Sequence, residues 1–247
     1  MRRASCASRC NATATRPRSS PRAEDTPETP ENPTPPRAPG HDCPLCPRLA
    51  RFRMANRAAY ADWHNAPVAS FGDRDARLLI VGLAPGLRGA NRTGRPFTGD
   101  FAGDLLYATL ERFGFAAGRY AARPDDGLRL VDCRITNAVR CVPPENRPTA
   151  AEANACRAFL TAEIMSLSRL CVILALGTVA HAAVLRCFDL RQAAARFGHG
   201  AVHDLPGGRV LADSYHCSRY NTNTGRLTEA MFGAVFARIR AQLNAAG

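Results

Sequence analysis

Four short segments rich in apolar residues recur along the chain, and each precedes a segment whose apolar residues have helical spacing. They span residues 77–82, 130–139, 170–176 and 209–215. The first, residues 77–82, is a short apolar run that ends at a glycine, which is typical of a strand that is buried on both faces. The pattern therefore predicts four strands of a mainly parallel sheet.

Four helices are predicted after these strands, over residues 100–113, 149–166, 178–187 and 225–243. Thr149, with Glu152 three residues later, has the sequence of a capping box at a helix start. Strands that alternate with helices favour the α/β class. We expect a three-layer α/β/α sandwich around a mainly parallel four-stranded sheet, with functional groups at the carboxyl ends of its strands.

The first 40 residues differ in composition from the rest of the chain. They are rich in Pro, Thr and Arg and have no apolar periodicity, so we predict a disordered tail over 1–40 and one folded domain over 41–247. The acid-free start is similar to a mitochondrial transit peptide, but a bacterial N-terminal extension is the favoured interpretation.

The longest uncharged apolar run, 170–185, is shorter than the roughly 20 residues of a membrane span. No secretory signal is predicted either, and we expect a protein of the bacterial cytosol.

The predicted domain is basic in its own right. All 33 basic residues of the chain are Arg, and with 21 acidic residues the net charge is +12. Residues 41–247 hold 26 of the Arg residues and 17 of the acids, which leaves +9 on the domain. Such a charge favours nucleic acid as a partner, and a solvated basic surface is the alternative.

Four of the ten cysteines have the spacing of metal ligands. Cys43 and Cys46 form a Cys-x2-Cys pair, Cys141 follows the second predicted strand, and Cys156 lies in the next helix. Four thiolates suit either a zinc ion or an iron–sulfur cluster, and the single Cys-x2-Cys pair favours [4Fe–4S]. Free buried thiols are the alternative interpretation, and Cys133 is the rival ligand.

The loop after the first predicted strand, Gly82-Leu83-Ala84-Pro85-Gly86, consists of small residues that let a ligand approach the backbone. The next stretch, residues 89–100, holds Arg92 and Arg95 for phosphates and Phe97 for stacking on a base. It ends at Asp100, a carboxylate at a predicted helix start. The alternatives are a core aromatic for Phe97 and a helix cap for Asp100.

Two further polar residues follow the second and fourth strands. The amide of Asn137 offers a donor and an acceptor for a base edge, and a turn residue is the alternative. His216 precedes hydroxyl groups, an Arg and a Tyr, which suits a nucleic-acid site. A structural histidine is the alternative for His216.

Together these motifs resemble the uracil-DNA glycosylase superfamily, most closely its family 5. The matching stretches are Phe71-Gly72-Asp73, GLAPG at 82–86, GANRTGRPFTGD at 89–100, ITNAVRCVPPENRPT at 135–149 and NTNTGRLT at 221–228. The resemblance covers residues 41–243. Other families of the superfamily place a carboxylate in the first loop, where this chain has the apolar Leu83 and Ala84. Family 5 lacks the same carboxylate, and Asp100 is then the nearest one.

The resemblance implies a monofunctional DNA glycosylase that flips out and excises uracil and other deaminated bases, such as hypoxanthine, at the start of base excision repair. The implied catalytic residues are Asp100, His216 and Asn137, and the implied base-binding residues are Gly82, Ala84, Pro85, Gly86, Phe97 and Asn137. The implied DNA contacts are Arg92, Arg95, Ser218, Arg219, Tyr220 and Asn221, with residues 217–221 inserted into the base stack. The implied ligands of a structural [4Fe–4S] cluster are Cys43, Cys46, Cys141 and Cys156.

The expected partner is double- or single-stranded DNA that contains deaminated bases, and the expected oligomeric state is a monomer. Two rival functions stay open. A DNA-binding protein stabilised by zinc or a cluster, without turnover, explains the charge and the cysteines but not the set of Asp100, Asn137 and His216. A relative that forms a covalent DNA adduct needs a nucleophile near the sugar, for which His216 is the candidate.

Overall fold

The computed structural model of the protein describes residues 38–245. Its helices are α1 Pro47–Ala59, α2 Ala90–Thr93, α3 Phe101–Arg112, α4 Ala150–Ser166, α5 Thr178–Cys187, α6 Arg219–Asn223 and α7 Glu229–Ala245. Its strands are β1 Phe71–Gly72, β2 Leu78–Gly82, β3 Ala116–Ala117, β4 Arg129–Leu130, β5 Cys133–Asn137, β6 Val172–Leu176, β7 Val202–Leu205 and β8 Arg209–Ser214. Nearly all of the predicted tail over 1–40 lies outside the described residues.

The central sheet has six strands in the order β1-β5-β2-β6-β8-β7. The four inner strands, β5, β2, β6 and β8, are parallel, and each lies within one of the four predicted segments. The predicted α/β class with a mainly parallel sheet is therefore confirmed, but the count of four strands is wrong. The two additional strands, β1 and β7, are antiparallel edges. They escape prediction because they are short and half exposed, so they lack a buried apolar run.

One predicted strand, residues 130–139, divides into two elements. Asp132 has a φ of +53°, a left-handed conformation that interrupts the extended backbone. Leu130 consequently belongs to the small β3–β4 ribbon, and β5 begins at Cys133.

Alternate residues of β2 face two separate hydrophobic cores. Leu78 and Ile80 lie in a core with residues of α3 and α7, whereas Leu79 and Val81 lie in a core with residues of α4 and α5. Helices thus cover both faces of the sheet, so the carboxyl ends of the inner strands are where a ligand has access to the sheet.

The four predicted helices are present as α3, α4, α5 and α7, with some differences at their ends. The two shortest helices, α2 and α6, and the arginine-rich α1 were not predicted. Thr149 caps α4 through the predicted capping box with Glu152, and α5 has the predicted bounds. Helix α1 was not predicted because its apolar residues are interspersed with four arginines and form no clear stripe; it buries Leu49 together with the polar Arg53 and Asn56. Within residues 38–245, no helix is both long and apolar enough to cross a bilayer.

Candidate active site

A cavity of about 710 Å³ opens at the carboxyl ends of the inner strands. Its walls come from the loops after β2, β5, β6 and β8, as the parallel topology requires. Ten of the residues predicted to bind the base or the DNA, or to act in catalysis, line this cavity, namely Ala84, Pro85, Gly86, Phe97, Asp100, Asn137, His216, Ser218, Arg219 and Asn221. The fold therefore brings together the three predicted catalytic residues, although they are up to 116 positions apart in the chain.

Phe97 and Asn137 meet above the last residue of β2. Gly82 pairs with Asn137 in the register of the two parallel strands. A Cβ on Gly82 would lie only 2.6 Å from Cζ of Phe97, so this glycine lets the aromatic ring pack directly on the strand end. The ring of Phe97 also stacks on His216, with centroids 5.9 Å apart. Phe97 thus forms part of the hydrophobic core and part of the cavity wall at once.

Asn137 is 3% exposed, yet its side-chain amide makes no hydrogen bond with any residue from 38 to 245 in this structure. The amide carries two donors and an acceptor, and its polar atoms border the cavity rather than being sealed inside the protein. Because Asn137 lines the cavity, a ligand in the cavity can pair with this amide.

Asp100 has two roles in the structure. Its Oδ1 accepts a hydrogen bond from the backbone N–H of Gly103 at 3.2 Å, which caps α3 as the alternative interpretation expected. Its other oxygen faces the loop after β2, since a Cβ on Gly86 would lie 3.0 Å from Oδ2. Burial raises the pKa of this carboxyl above its ordinary value. A partly desolvated carboxylate that still lines the cavity is suited to orient water or to stabilise positive charge.

His216 follows β8 by two residues and reaches the same cavity. Desolvation lowers the pKa of its imidazole to about 4, so the ring is neutral at pH 7. The side-chain amide of Asn221 donates to the backbone oxygen of His216 at 2.8 Å, which fixes this part of the loop. A neutral imidazole retains one N–H, and it can donate a hydrogen bond to a ligand oxygen without transferring the proton.

The loop after His216 differs from its predicted form. Cys217 is fully buried, with its thiol 3.4 Å from the backbone oxygen of Ala102, so it does not belong to a DNA-inserting surface. Ser218 caps the short helix α6, and Tyr220 on that helix is 71% exposed. The prediction that residues 217–221 insert into DNA is therefore corrected to the part after Cys217.

Arg95 contradicts its predicted contact with a DNA phosphate. Its two terminal nitrogens donate to the two oxygens of Asp126, both at 2.7 Å, and its Nε donates to Thr98. The guanidinium also lies over the ring of Phe71, and Arg95 is only 5% exposed. All three nitrogens are thus engaged inside the protein. Arg92, by contrast, is exposed.

Arg219 is an exposed member of the cavity rim. Its guanidinium lies 5.2 Å from the centre of the Phe101 ring, a cation–π contact that sets its direction. Two further arginines, Arg88 and Arg226, also line the cavity and were not singled out from the sequence. Arg226 lies 4.6 Å over the ring of Tyr215. The available signal was their place in the sequence, because Arg226 lies in NTNTGRLT and Arg88 lies between the two quoted stretches 82–86 and 89–100.

The four predicted ligand cysteines line a second, small cavity between α1, the end of β5 and α4. Arg53, which is 3% exposed, donates to Sγ of Cys141 at 3.5 Å and to the backbone oxygen of Cys43 at 3.0 Å. The backbone N–H of Arg140 donates to Sγ of Cys156 at 3.4 Å. The rival ligand Cys133 does not line this cavity and belongs to the core on the α3 and α7 face.

The spacing of these sulfurs bears on what they can hold. When several thiolates bind one tetrahedral zinc ion, their sulfur atoms lie about 3.8 Å from one another. No three of the four sulfurs lie within 4.8 Å of one another; in the part of the chain that the structure describes, the single group that meets this limit consists of other residues. The arrangement is thus wider than a single-ion site. Burial raises the pKa of Cys46 and of Cys141 to about 11, so both are thiols until a metal replaces their protons.

Comparison with known proteins gives a consistent result. The model of the uracil DNA glycosylase superfamily matches residues 69–240. A type-5 uracil-DNA glycosylase of Thermus thermophilus is 47% identical over 195 residues, which cover 77% of this chain and 89% of the relative. A type-5 uracil-DNA glycosylase of Pyrobaculum aerophilum is 41% identical over 81% of this chain and 88% of the relative. A type-4 uracil-DNA glycosylase of Thermotoga maritima is 34% identical over 61% of this chain and 69% of the relative. The chain belongs to the uracil DNA glycosylase superfamily and, within it, to the type-5 enzymes.

Proposed function

We propose that this protein is a monofunctional DNA glycosylase that excises uracil from DNA as the first step of base excision repair. The observation that carries the proposal is the meeting of Phe97, Asp100, Asn137 and His216 around one cavity at the strand ends. The relatives named type-5 uracil-DNA glycosylases support the same function.

Base recognition rests on Phe97 and Asn137. A base inside a duplex is inaccessible, so it must be flipped out at a cost of a few kcal/mol. Phe97 offers a ring for stacking on the flipped base, and the unpaired amide of Asn137 pairs with its polar edge. The small side chain of Ala84 and the glycine at position 86 leave the cavity wide. We therefore infer that the larger base hypoxanthine is accepted as well.

Bond cleavage rests on His216 and Asp100. As the N-glycosidic bond breaks, negative charge develops on the leaving base and positive charge on the sugar. The neutral imidazole of His216 donates its N–H to the base oxygen, which stabilises the anion. The carboxylate of Asp100 stabilises the cationic sugar or orients the water that attacks it. The water oxygen joins the sugar carbon, and a proton from water ends on the base.

DNA binding rests on the arginines at the cavity rim and on helix α6. The free or aromatic-stacked guanidinium groups of Arg88, Arg92, Arg219 and Arg226 supply the phosphate contacts. The exposed ring of Tyr220, next to Ser218 and Asn221, is the group that enters the vacated stack.

We further propose that Cys43, Cys46, Cys141 and Cys156 hold a [4Fe–4S] cluster. The four residues fit this group because they line one cavity with their sulfurs spaced beyond single-ion distances, and because hydrogen bonds from Arg53 and Arg140 reach two of the sulfurs. When bound, the cluster supplies covalent cross-links between the segment before α1, the end of β5 and helix α4. The hydrolysis described above requires no electron transfer. A monomeric state and a cytosolic location remain predictions.

Base release from defined oligonucleotides tests the proposal. Duplexes with one uracil or one hypoxanthine are incubated with the protein and then treated with alkali, which breaks abasic sites. Strand breaks that require alkali are expected at uracil and, with lower yield, at hypoxanthine. Asp100→Asn is expected to lower the single-turnover rate by roughly 10²-fold or more while DNA affinity is kept. The matched control is Asp104→Asn, which changes an exposed carboxylate on the same helix.

Other outcomes separate the rival functions. Intact strands from a protein that contains iron and binds DNA would contradict a glycosylase and favour a binding protein without turnover. A shifted protein–DNA band on a denaturing gel, lost in His216→Gln, would show a covalent adduct instead. Equal rates for Asp100→Asn and the wild type would remove Asp100 from the mechanism.

A further inference from the structure

Two histidines and an aspartate converge at a third place in the fold. His181 comes from α5, His203 from β7 and Asp213 from β8. None of the three lines the large cavity or the cysteine cavity. His181 and Asp213 are buried, whereas the side chain of His203 is 17% exposed at the edge of the sheet. The triad is therefore separate from both sites described above.

The ligand atoms of the triad are close enough for one metal ion. Nδ1 of His181 lies 2.8 Å from Oδ1 of Asp213, and Nε2 of His203 lies 3.1 Å from Oδ2 of the same carboxylate. One ligand atom from each residue lies within 4.8 Å of the other two. Neighbouring nitrogen or oxygen ligands of a tetrahedral zinc ion are about 3.3 Å apart. The two nitrogen–oxygen distances lie within about 0.5 Å of this value, and the remaining separation is no more than 4.8 Å.

The two imidazole rings are also spaced for a shared ion. Their centroids are 5.5 Å apart and their planes are inclined by 70°. Two imidazoles bound to one tetrahedral zinc ion have ring centres about 5.2 Å apart. The distance between the rings is thus close to that of two imidazoles on one ion.

Groups outside the triad fix these orientations. The backbone oxygen of Ala195 lies 2.9 Å from Nε2 of His181. A carbonyl and a carboxylate both accept, so Nε2 and Nδ1 each face an acceptor, and a metal ion bound to Nδ1 takes the place of the proton directed at Asp213. The backbone N–H of Gly198 donates to Oδ2 of Asp213 at 3.4 Å. Metal-bound histidines nearly always donate their second N–H to a carbonyl or carboxylate in this way.

We propose that His181, His203 and Asp213 form a structural zinc site. The chemistry of the donors, two imidazole nitrogens and a carboxylate, suits zinc among the common divalent ions. The second carboxylate oxygen or a water completes four-fold coordination, and the half-exposed edge at His203 gives the ion a path of entry. The site joins α5, β7 and β8 to the segment 195–198. Because Phe197 of that segment lines the large cavity, the ion also stabilises one wall of it.

Zinc analysis with X-ray absorption tests the site in the full-length protein with its iron retained. The protein is dialysed against buffered zinc, and zinc and iron are then measured in the same sample. One zinc per chain is expected, with a nitrogen and oxygen shell near 2.0–2.2 Å and no sulfur shell near 2.3 Å. His203→Gln and Asp213→Asn are expected to weaken zinc binding by more than the roughly 10- to 100-fold that loss of an outer-shell partner causes.

The matched control is His199→Gln, a nearby histidine whose Nδ1 accepts from the backbone N–H of Tyr215 at 3.3 Å. This variant is expected to keep the zinc. Wild-type protein that binds no zinc, or binds it only with a sulfur shell, would overturn the proposal without any variant. A nitrogen and oxygen shell that persists in folded His203→Gln would also overturn it, because the ion would then lie elsewhere.

Discussion

Replacing Arg95 with Met removes the guanidinium of a buried ion pair while keeping the apolar part of the side chain. The side chains of Arg95 and Asp126 are 6% and 1% exposed, so solvent screens the pair little. Removing one partner of a buried pair costs about 3–5 kcal/mol, because the other charge is left without compensation. Two backbone N–H groups, of Ala121 and Leu128, still donate to Asp126 and place the expected cost near the lower value.

The expected consequence is a loss of thermal stability without a loss of DNA contacts. At roughly 2–4 °C per kcal/mol for a domain of this size, Arg95→Met should lower Tm by about 6–12 °C. The slope of log affinity against log salt for a DNA duplex should stay unchanged, because no phosphate contact is lost. The assays are thermal unfolding by circular dichroism and a salt titration of DNA binding by fluorescence anisotropy.

Arg92→Met is the matched control in the same motif. Arg92 is exposed, and its replacement should change Tm little but reduce the salt slope by about 0.9, the value for one phosphate contact. An Arg95→Met variant with the wild-type Tm and a reduced slope would refute the assignment of Arg95 to the core.

The pH dependence of the same pair adds a second check. The hydrogen-bonded guanidinium of Arg95 holds the pKa of Asp126 well below its usual range. A carboxyl with a lowered folded-state pKa stabilises the fold above its unfolded value of about 3.9, and this contribution is lost as the pH falls. The stability difference between wild type and Arg95→Met should therefore shrink below pH 4.

Three further outcomes are expected. Single-turnover base release should fall on acidification as Asp100, whose pKa burial raises above its ordinary value, becomes protonated. It should show no step near pH 6.5, because His216 stays neutral down to about pH 4; a step near pH 6.5 that disappears in His216→Gln would contradict this. Gly82→Ala should cost about 1–3 kcal/mol in stability and lower base release, because the new Cβ displaces the amide of Asn137 and the ring of Phe97; wild-type rates would show that the positions of these two groups do not matter. Cys141→Ser should lose iron, brown colour and solubility together, and a colourless, stable and fully active protein would refute the cluster.

Much of the fold and of the candidate site was predictable from local patterns. Strands β2 and β6 were recognised because a strand buried on both faces is a continuous apolar run, whatever its neighbours are. Strands β5 and β8 include polar residues and were recognised as segments rich in apolar residues between helical ones. Their carboxyl ends meet at one edge of the sheet, which brings Asp100, Asn137 and His216 to one cavity. The family resemblance, carried by several ordered motifs, agrees with the comparisons.

Other features depend on contacts between distant residues, and the linear pattern does not report these. Arg95 has the same local context whether it binds a phosphate or Asp126, which lies 31 positions away. The edge strands β1 and β7 are defined by their pairing partners rather than by their own two to four residues. The triad of His181, His203 and Asp213 has no motif at all, because its members come from one helix and two strands. Local sequence thus determined the elements and the catalytic edge of the sheet, whereas tertiary structure decided which charges are buried in pairs, since pairing depends on distance through space.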